Sequence, residues 1–135
     1  MIRPELFPPN FPAELASLAF VNGNQAAWPP KLAAAAVRWL GTHGYAVLGT
    51  ELWVLEGGAI QSLPAGQSGM REVHGNTVNR RSEELWSSFV ARAATGTLAY
   101  LQSFNPADIA EQGEIHFNVV WVSEAQYAEL KSVSS

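Results

Sequence analysis

The 135-residue sequence contains no cysteine, which excludes disulfides and thiolate metal ligands. Charged residues are also scarce, at 15%, and twelve acids against eight bases give a net charge of −4. This acidic balance argues against general nucleic-acid binding. No run approaches the ~20 apolar residues of a membrane span, and residues 1–10 lack the apolar segment of a secretory signal. We therefore expect a cytoplasmic protein that binds neither nucleic acid nor membrane.

Motifs that carry catalysis or bind metals and cofactors are missing as well. The three histidines, His43, His74 and His116, are scattered along the chain. No His-x-x-x-His, Gly-x-Ser-x-Gly or phosphate-loop pattern occurs. A catalytic site needs a nucleophile, a base or a metal cluster at workable spacing. The sequence therefore predicts no catalytic residue, no metal and no cofactor.

Three segments have the pattern of β-strands. The longest is the hydrophobic stretch at about 45–56, which Gly57-Gly58 would turn back into a strand at about 59–63. This turn predicts pairing of Glu56 with Ala59. Residues at about 114–122 alternate between apolar and polar, and we expect them to pair with the 45–56 strand.

Two long helices and two short ones are predicted around these strands. The long helices are expected at about 30–43, which is rich in alanine, and at about 83–104, capped by Ser82. An apolar stripe at i, i+3, i+4 spacing runs along the second one from Trp86. Gly96 lies inside that helix, where glycine usually indicates a close crossing with another backbone. The short helices are expected near the termini, at about 13–20 and 124–131.

These elements predict an α+β fold in which a small antiparallel sheet packs against helices. One domain is expected over residues 1–135, because two would each be too small to bury much core. Residues 1–12 hold four of the eight prolines and are interpreted as an extended N-terminal arm. Hydrophobicity falls sharply over residues 64–81, which are interpreted as a long polar loop.

The central strand carries an acid among aromatic residues. Strict alternation would place Tyr45, Glu51 and Trp53 on one face. We expect Trp53 to be buried and Glu51 to be exposed. Glu51 and His116, if they lay on adjacent strands, would form a possible acid–base pair. The five tryptophans and six phenylalanines exceed what a small core usually needs, so part of them would lie at an interface.

The same elements resemble a family of small immunity proteins from bacterial polymorphic toxin systems. The resemblance is carried by residues 44–53 after an alanine-rich helix, by the Trp86…Phe89 helix, and by Phe117-Asn118 before a short capped helix. It spans about residues 28–131 and consists of the order of helices and strands and of the positions of aromatic residues along them.

The resemblance implies a non-catalytic inhibitor that binds a cognate toxin and covers its active site. Two alternatives remain: a small enzyme that uses Glu51 and His116, and an assembly subunit that forms a homodimer through its aromatic face. The candidate contacts with a partner lie on the central strands and in the polar loop. They are Tyr45, Glu51, Trp53, Arg71, His74, Arg80, Arg81 and His116.

Overall fold

A computed structural model describes residues 6–56, 59–60, 75–105 and 114–134. This part of the chain has the predicted α+β fold, with four helices and one antiparallel sheet. The helices are α1 (Ala13–Leu18), α2 (Pro30–Thr42), α3 (Trp86–Ser103) and α4 (Glu124–Ser134). The strands are β1 (Phe20–Asn22), β2 (Gln25–Trp28), β3 (Ala46–Glu56), β4 (Ala59–Ile60), β5 (Gly75–Thr77) and β6 (Glu114–Val122). None of the helices within these ranges is long and apolar enough to cross a membrane.

The strands of the sheet are arranged in the order β1-β2-β6-β3-β4, and β5 also pairs with β3. The predicted pairing of β3 with β6 is confirmed, as is the register that joins Glu56 to Ala59. The predicted residues 61–63 of the return strand lie outside the described ranges. The β1–β2 hairpin was not predicted from the sequence. Gly23 occupies that turn with a φ of 63°, and only three pairs flank it.

A β-bulge in β3 changes which side chains share a face. Val47 pairs with Trp121, and Gly49 pairs with the next residue, Val120, so Leu48 is the extra residue. Such an insertion reverses the alternation that follows it. The prediction that Tyr45 shares a face with Glu51 and Trp53 is therefore wrong.

Helix α2 and the C-terminal half of α3 cover the face that carries Val47 and Leu52. This face packs against α2 and α3 in the main hydrophobic core, with Trp28 fully buried at its centre. The indole N–H of Trp28 donates to the carbonyl of Leu15 at 2.8 Å, so burial leaves this polar group satisfied. A second apolar cluster joins Ala46 to the N-terminal half of α3 and to α4.

The described part of the N-terminal arm is a packed segment with a turn, not a simple extended one. Phe11 donates its backbone N–H to the carbonyl of Pro8, and Asn10 has a φ of 66°. Phe7 and Phe11 stack at 5.0 Å and are both buried against the core. This packing explains the high aromatic content, because none of the tryptophan and phenylalanine rings is classed as exposed. Six of the eleven rings are buried, and the other five keep part of their surface exposed.

Two predicted boundaries also change. Helix α3 begins at Trp86, three residues after the predicted start, and Leu85 takes the N-cap position predicted for Ser82. The intervening Glu83 has a φ of 62°, which interrupts the helical backbone. Within the predicted loop at 64–81, residues 75–77 form β5 along β3, while residues 64–74 lie outside the described ranges.

Helices α2 and α3 cross closely at Gly41, and not at Gly96 as predicted. A Cβ atom at Gly41 would lie 2.8 Å from the Cβ of Ala94, whereas one at Gly96 would meet nothing within 4 Å. Glycine is therefore needed at position 41 because a side chain would not fit. At position 96 glycine has its usual entropic cost in a helix, and no close contact requires it.

Alanine at these two positions should have opposite effects on stability. We expect Gly41→Ala to lower the free energy of unfolding by about 1–3 kcal/mol, because it overpacks the helix crossing. Gly96→Ala should raise it by up to about 1 kcal/mol through helix propensity. Urea unfolding followed by circular dichroism measures both. Equal effects of the two substitutions would contradict the crossing at Gly41.

Candidate functional site

The predicted Glu51–His116 pair is not assembled in the structure. Glu51 is exposed and lies opposite Asn118, whereas His116 lies opposite Trp53. His116 and Trp53 are only 6% and 4% exposed, so neither presents a contact surface to a partner. Trp53 is buried and Glu51 is exposed, as expected. The ring of His116 packs against Phe20 at 6.4 Å, and no hydrogen bond joins it to Glu51.

A chain of amide groups occupies the face on which Glu51 lies. The backbone N–H of Glu51 donates to Oδ1 of Asn118 at 2.7 Å, and Nδ2 of Asn118 donates to Oε1 of Gln25 at 3.3 Å. The hydroxyl of Thr50 also donates to the carbonyl of Asn118. These bonds satisfy the buried amide of Asn118 and tie β2, β6 and β3 together.

None of the other predicted contacts within the described ranges takes part in these hydrogen bonds. Tyr45 is half-buried on the helix-covered side, where it stacks on Trp39 at 6.3 Å. Arg71 and His74 lie outside the described ranges. Arg80 and Arg81 fall together at the N-terminus of α3, where they belong to a hydrogen-bonded segment that the sequence patterns did not indicate.

Residues 79–85, hereafter the clamped loop, are held by a carboxylate and three arginines. Arg92 donates two hydrogen bonds to the Glu84 carboxylate, at 2.9 and 2.8 Å, and a third to the carbonyl of Asn79 at 2.7 Å. The backbone N–H of Arg81 donates to the same carboxylate at 2.9 Å, and Nε of Arg80 donates to the Glu84 carbonyl at 2.8 Å. This bidentate geometry fixes the loop against α3.

The clamped loop is also anchored to α4. The backbone N–H of Arg80 donates to the Tyr127 hydroxyl at 3.3 Å, and its guanidinium lies 5.5 Å from the centroid of the Trp86 ring. Tyr127 is buried, and its ring packs against Trp86 at 5.8 Å. Arg80 is therefore committed largely to structure, and Arg81 keeps its side chain exposed.

The clamp keeps Glu84 ionised. Hydrogen bonds from Arg92, and then from the backbone of Arg81, lower the pKa of Glu84 from 4.5 to about 2. The same carboxylate raises the pKa of Arg92. The pair is partly shielded, with side-chain exposures of 11% for Glu84 and 30% for Arg92. Its charge state is thus constant above about pH 4.5.

Leu85 ends the clamped loop and is the most exposed large apolar side chain in the described ranges, at 70%. It also occupies the N-cap position of α3 and makes no side-chain cap hydrogen bond. Serine and aspartate are favoured there because they accept a bond from the helix backbone, and leucine is among the poorest choices. Leucine here gains neither burial nor capping. Residues that break a local rule without a structural gain are expected at functional sites.

The comparisons with known proteins add no assignment. No family model, curated protein or solved structure matches this chain. Within the residues that the structure describes, no group of three or more histidines and acids could hold a metal ion. The clamped loop with Leu85 is the candidate site, on the exposure of Leu85 at an N-cap position.

Removal of the Glu84 carboxylate should destabilise the protein in a pH-dependent way. Because the pKa of Glu84 is lower in the folded state than its ordinary value, its contribution is complete above pH 4.5 and is lost as the pH falls towards 2. We expect Glu84→Gln to lower Tm at pH 7, and the difference from the unsubstituted protein to shrink below pH 4.5.

The neighbouring substitution Glu83→Gln is the matched control for this experiment. It removes the same charge from an exposed side chain one residue away. Calorimetry from pH 2 to 7, a window set by the shifted pKa, compares the two variants. The same pH profile for both would contradict the clamp.

Proposed function

We propose that this chain is a non-catalytic binding protein that neutralises a cognate bacterial toxin in the cytoplasm by covering its active site. The toxin assignment rests on the resemblance to small immunity proteins described above. The observation that supports a binding role is Leu85, an exposed leucine at an N-cap on a loop held by the Glu84–Arg92 pair.

The rigidity of the clamped loop favours binding over a structural explanation. Ordering a side chain or loop on association costs roughly 0.5–1.5 kcal/mol per side chain. Arg92 and Glu84 fix this loop before any partner arrives, which reduces that cost. The same loop carries Arg81 with its side chain exposed, and arginine is enriched at protein–protein interfaces.

The two alternatives have less support. An enzyme using Glu51 and His116 would need the carboxylate and the imidazole within hydrogen-bond reach, and they have no such bond here. A homodimer formed through aromatic residues would need exposed rings, whereas the tryptophans and phenylalanines are all at least half-buried. Light scattering at several concentrations tests the dimer directly.

Substitution of Leu85 should separate binding from stability. We expect Leu85→Ser to raise the free energy of unfolding by about 1 kcal/mol, because serine caps the helix. The same change should weaken toxin binding by about 2 kcal/mol, or roughly 30-fold, as for an interface hot spot. Titration calorimetry against the toxins encoded beside the gene, together with urea unfolding, measures both quantities.

Leu18→Ser is the control, since Leu18 is a half-exposed leucine on α1. It should leave the affinity within about twofold, as expected for a residue outside the interface. Failure of every neighbouring product to bind would refute the toxin assignment. If Leu85→Ser binds the toxin as tightly as the unsubstituted protein, the proposed function stands and the assignment of the site to Leu85 is refuted.

A further inference from the structure

A groove of about 380 Å³ lies between α2 and α3, away from the clamped loop in sequence. Ala34 and Leu101 form its apolar lining, and Lys31 and Arg38 are exposed along its rim. Ala34 stands three residues after Lys31 and four before Arg38, so these three side chains share one face of α2. Lys31 and Arg38 therefore lie on either side of the small side chain of Ala34.

Neither cation has a partner in the ranges that the structure describes. The single ion pair there joins Glu84 to Arg92, and no hydrogen bond involves the side chain of Lys31 or Arg38. The sequences of α2 and α3 contain no aspartate or glutamate. The groove is thus a positive surface on a chain whose net charge is −4, and its complement is an acidic ligand.

The spacing of Lys31 and Arg38 along α2 fits a ligand helix that lies along the groove. Seven residues of α-helix rise about 10 Å, and two helical residues seven apart again share one face. Two carboxylates seven residues apart on a helix would therefore meet Lys31 and Arg38 together.

We propose that this groove binds an amphipathic helix of another protein, with two acids seven residues apart and an apolar side chain between them. The apolar side chain would lie over Ala34, and the acids would pair with Lys31 and Arg38. This is the helix-in-groove mode of recognition, with charges that fix the register.

A second copy of this chain does not supply such a helix from the described ranges. Helix α1 contains one acid, Glu14. Helix α4 contains Glu124 and Glu129, which are five residues apart and so point about 140° from each other on a helix. The proposed ligand is a different protein.

The proposal goes beyond the proposed function and does not depend on it. None of the groove residues belongs to the clamped loop. A variant at Leu85 that loses toxin binding should keep its affinity for the acidic helix, so failure of one proposal leaves the other standing.

Two designed peptides test the groove. Both are alanine-rich helices with two glutamates and one leucine between them, and they differ only in whether the glutamates stand seven or five residues apart. We expect fluorescence anisotropy to show the seven-residue peptide binding at least about tenfold more tightly, because only it presents both acids to one face. Its affinity should fall as salt is raised.

Variants of the exposed groove residues complete the test. The double substitution Lys31→Gln with Arg38→Gln should weaken the preferred peptide about tenfold, and Ala34→Leu should block it by filling the groove. Arg81→Gln with Lys131→Gln removes two exposed cations elsewhere and should change the affinity by less than about twofold. Equal binding of the two peptides, no binding of either, or equal loss in both double variants would overturn the proposal.

Discussion

The pairing of β3 with β6 is the constraint on which the rest of the structure depends. Nine residue pairs join them, from Ala46–Val122 to Leu55–Glu114. The other strands attach to one of these two directly or, for β1, through β2. The two segments are far apart in sequence, so their pairing closes a long loop. The entropic cost of closing that loop is therefore met when β3 and β6 pair. Helices α2 and α3 then cover a surface that exists only once this ladder has formed.

The elements with long periodic patterns were predictable from sequence, and the short ones were not. The strands β3 and β6 and the helices α2 and α4 follow their apolar periodicity and end signals, such as the left-handed Gly44 and the reciprocal bonds between Ser123 and Gln126. The hairpin of β1 and β2 has strands of three and four residues, too short for alternation to show. Its position is set by pairing with β6, which is a tertiary effect.

The candidate site was predicted only in part, because its geometry depends on contacts that no local pattern encodes. Arg80 and Arg81 were recognised as candidates, but their carboxylate partner was assigned to a helix turn. Glu84 and Arg92 are eight residues apart. In one continuous helix they would lie on the same side but two turns apart, so the sequence did not indicate that they pair. The left-handed Glu83 breaks that helix and turns the carboxylate back towards Arg92. Leu85 did carry a signal, since it falls off the apolar stripe that begins at Trp86.

The β-bulge at Leu48 also determines how this chain would tolerate change. In a regular strand, positions that accept polar residues alternate with positions that reject them over the full length. Here the alternation is shifted by one residue at the bulge. Val47 and Leu52 are five residues apart, which would place them on opposite faces of a regular strand, yet both pack in the main core. Both side chains are buried there, with 0% and 1% of their surface exposed. Deletion of Leu48 would place Tyr45 on the same face as Glu51. Either the part of β3 before the deletion or the part after it would then have to turn its buried side chains away from the core.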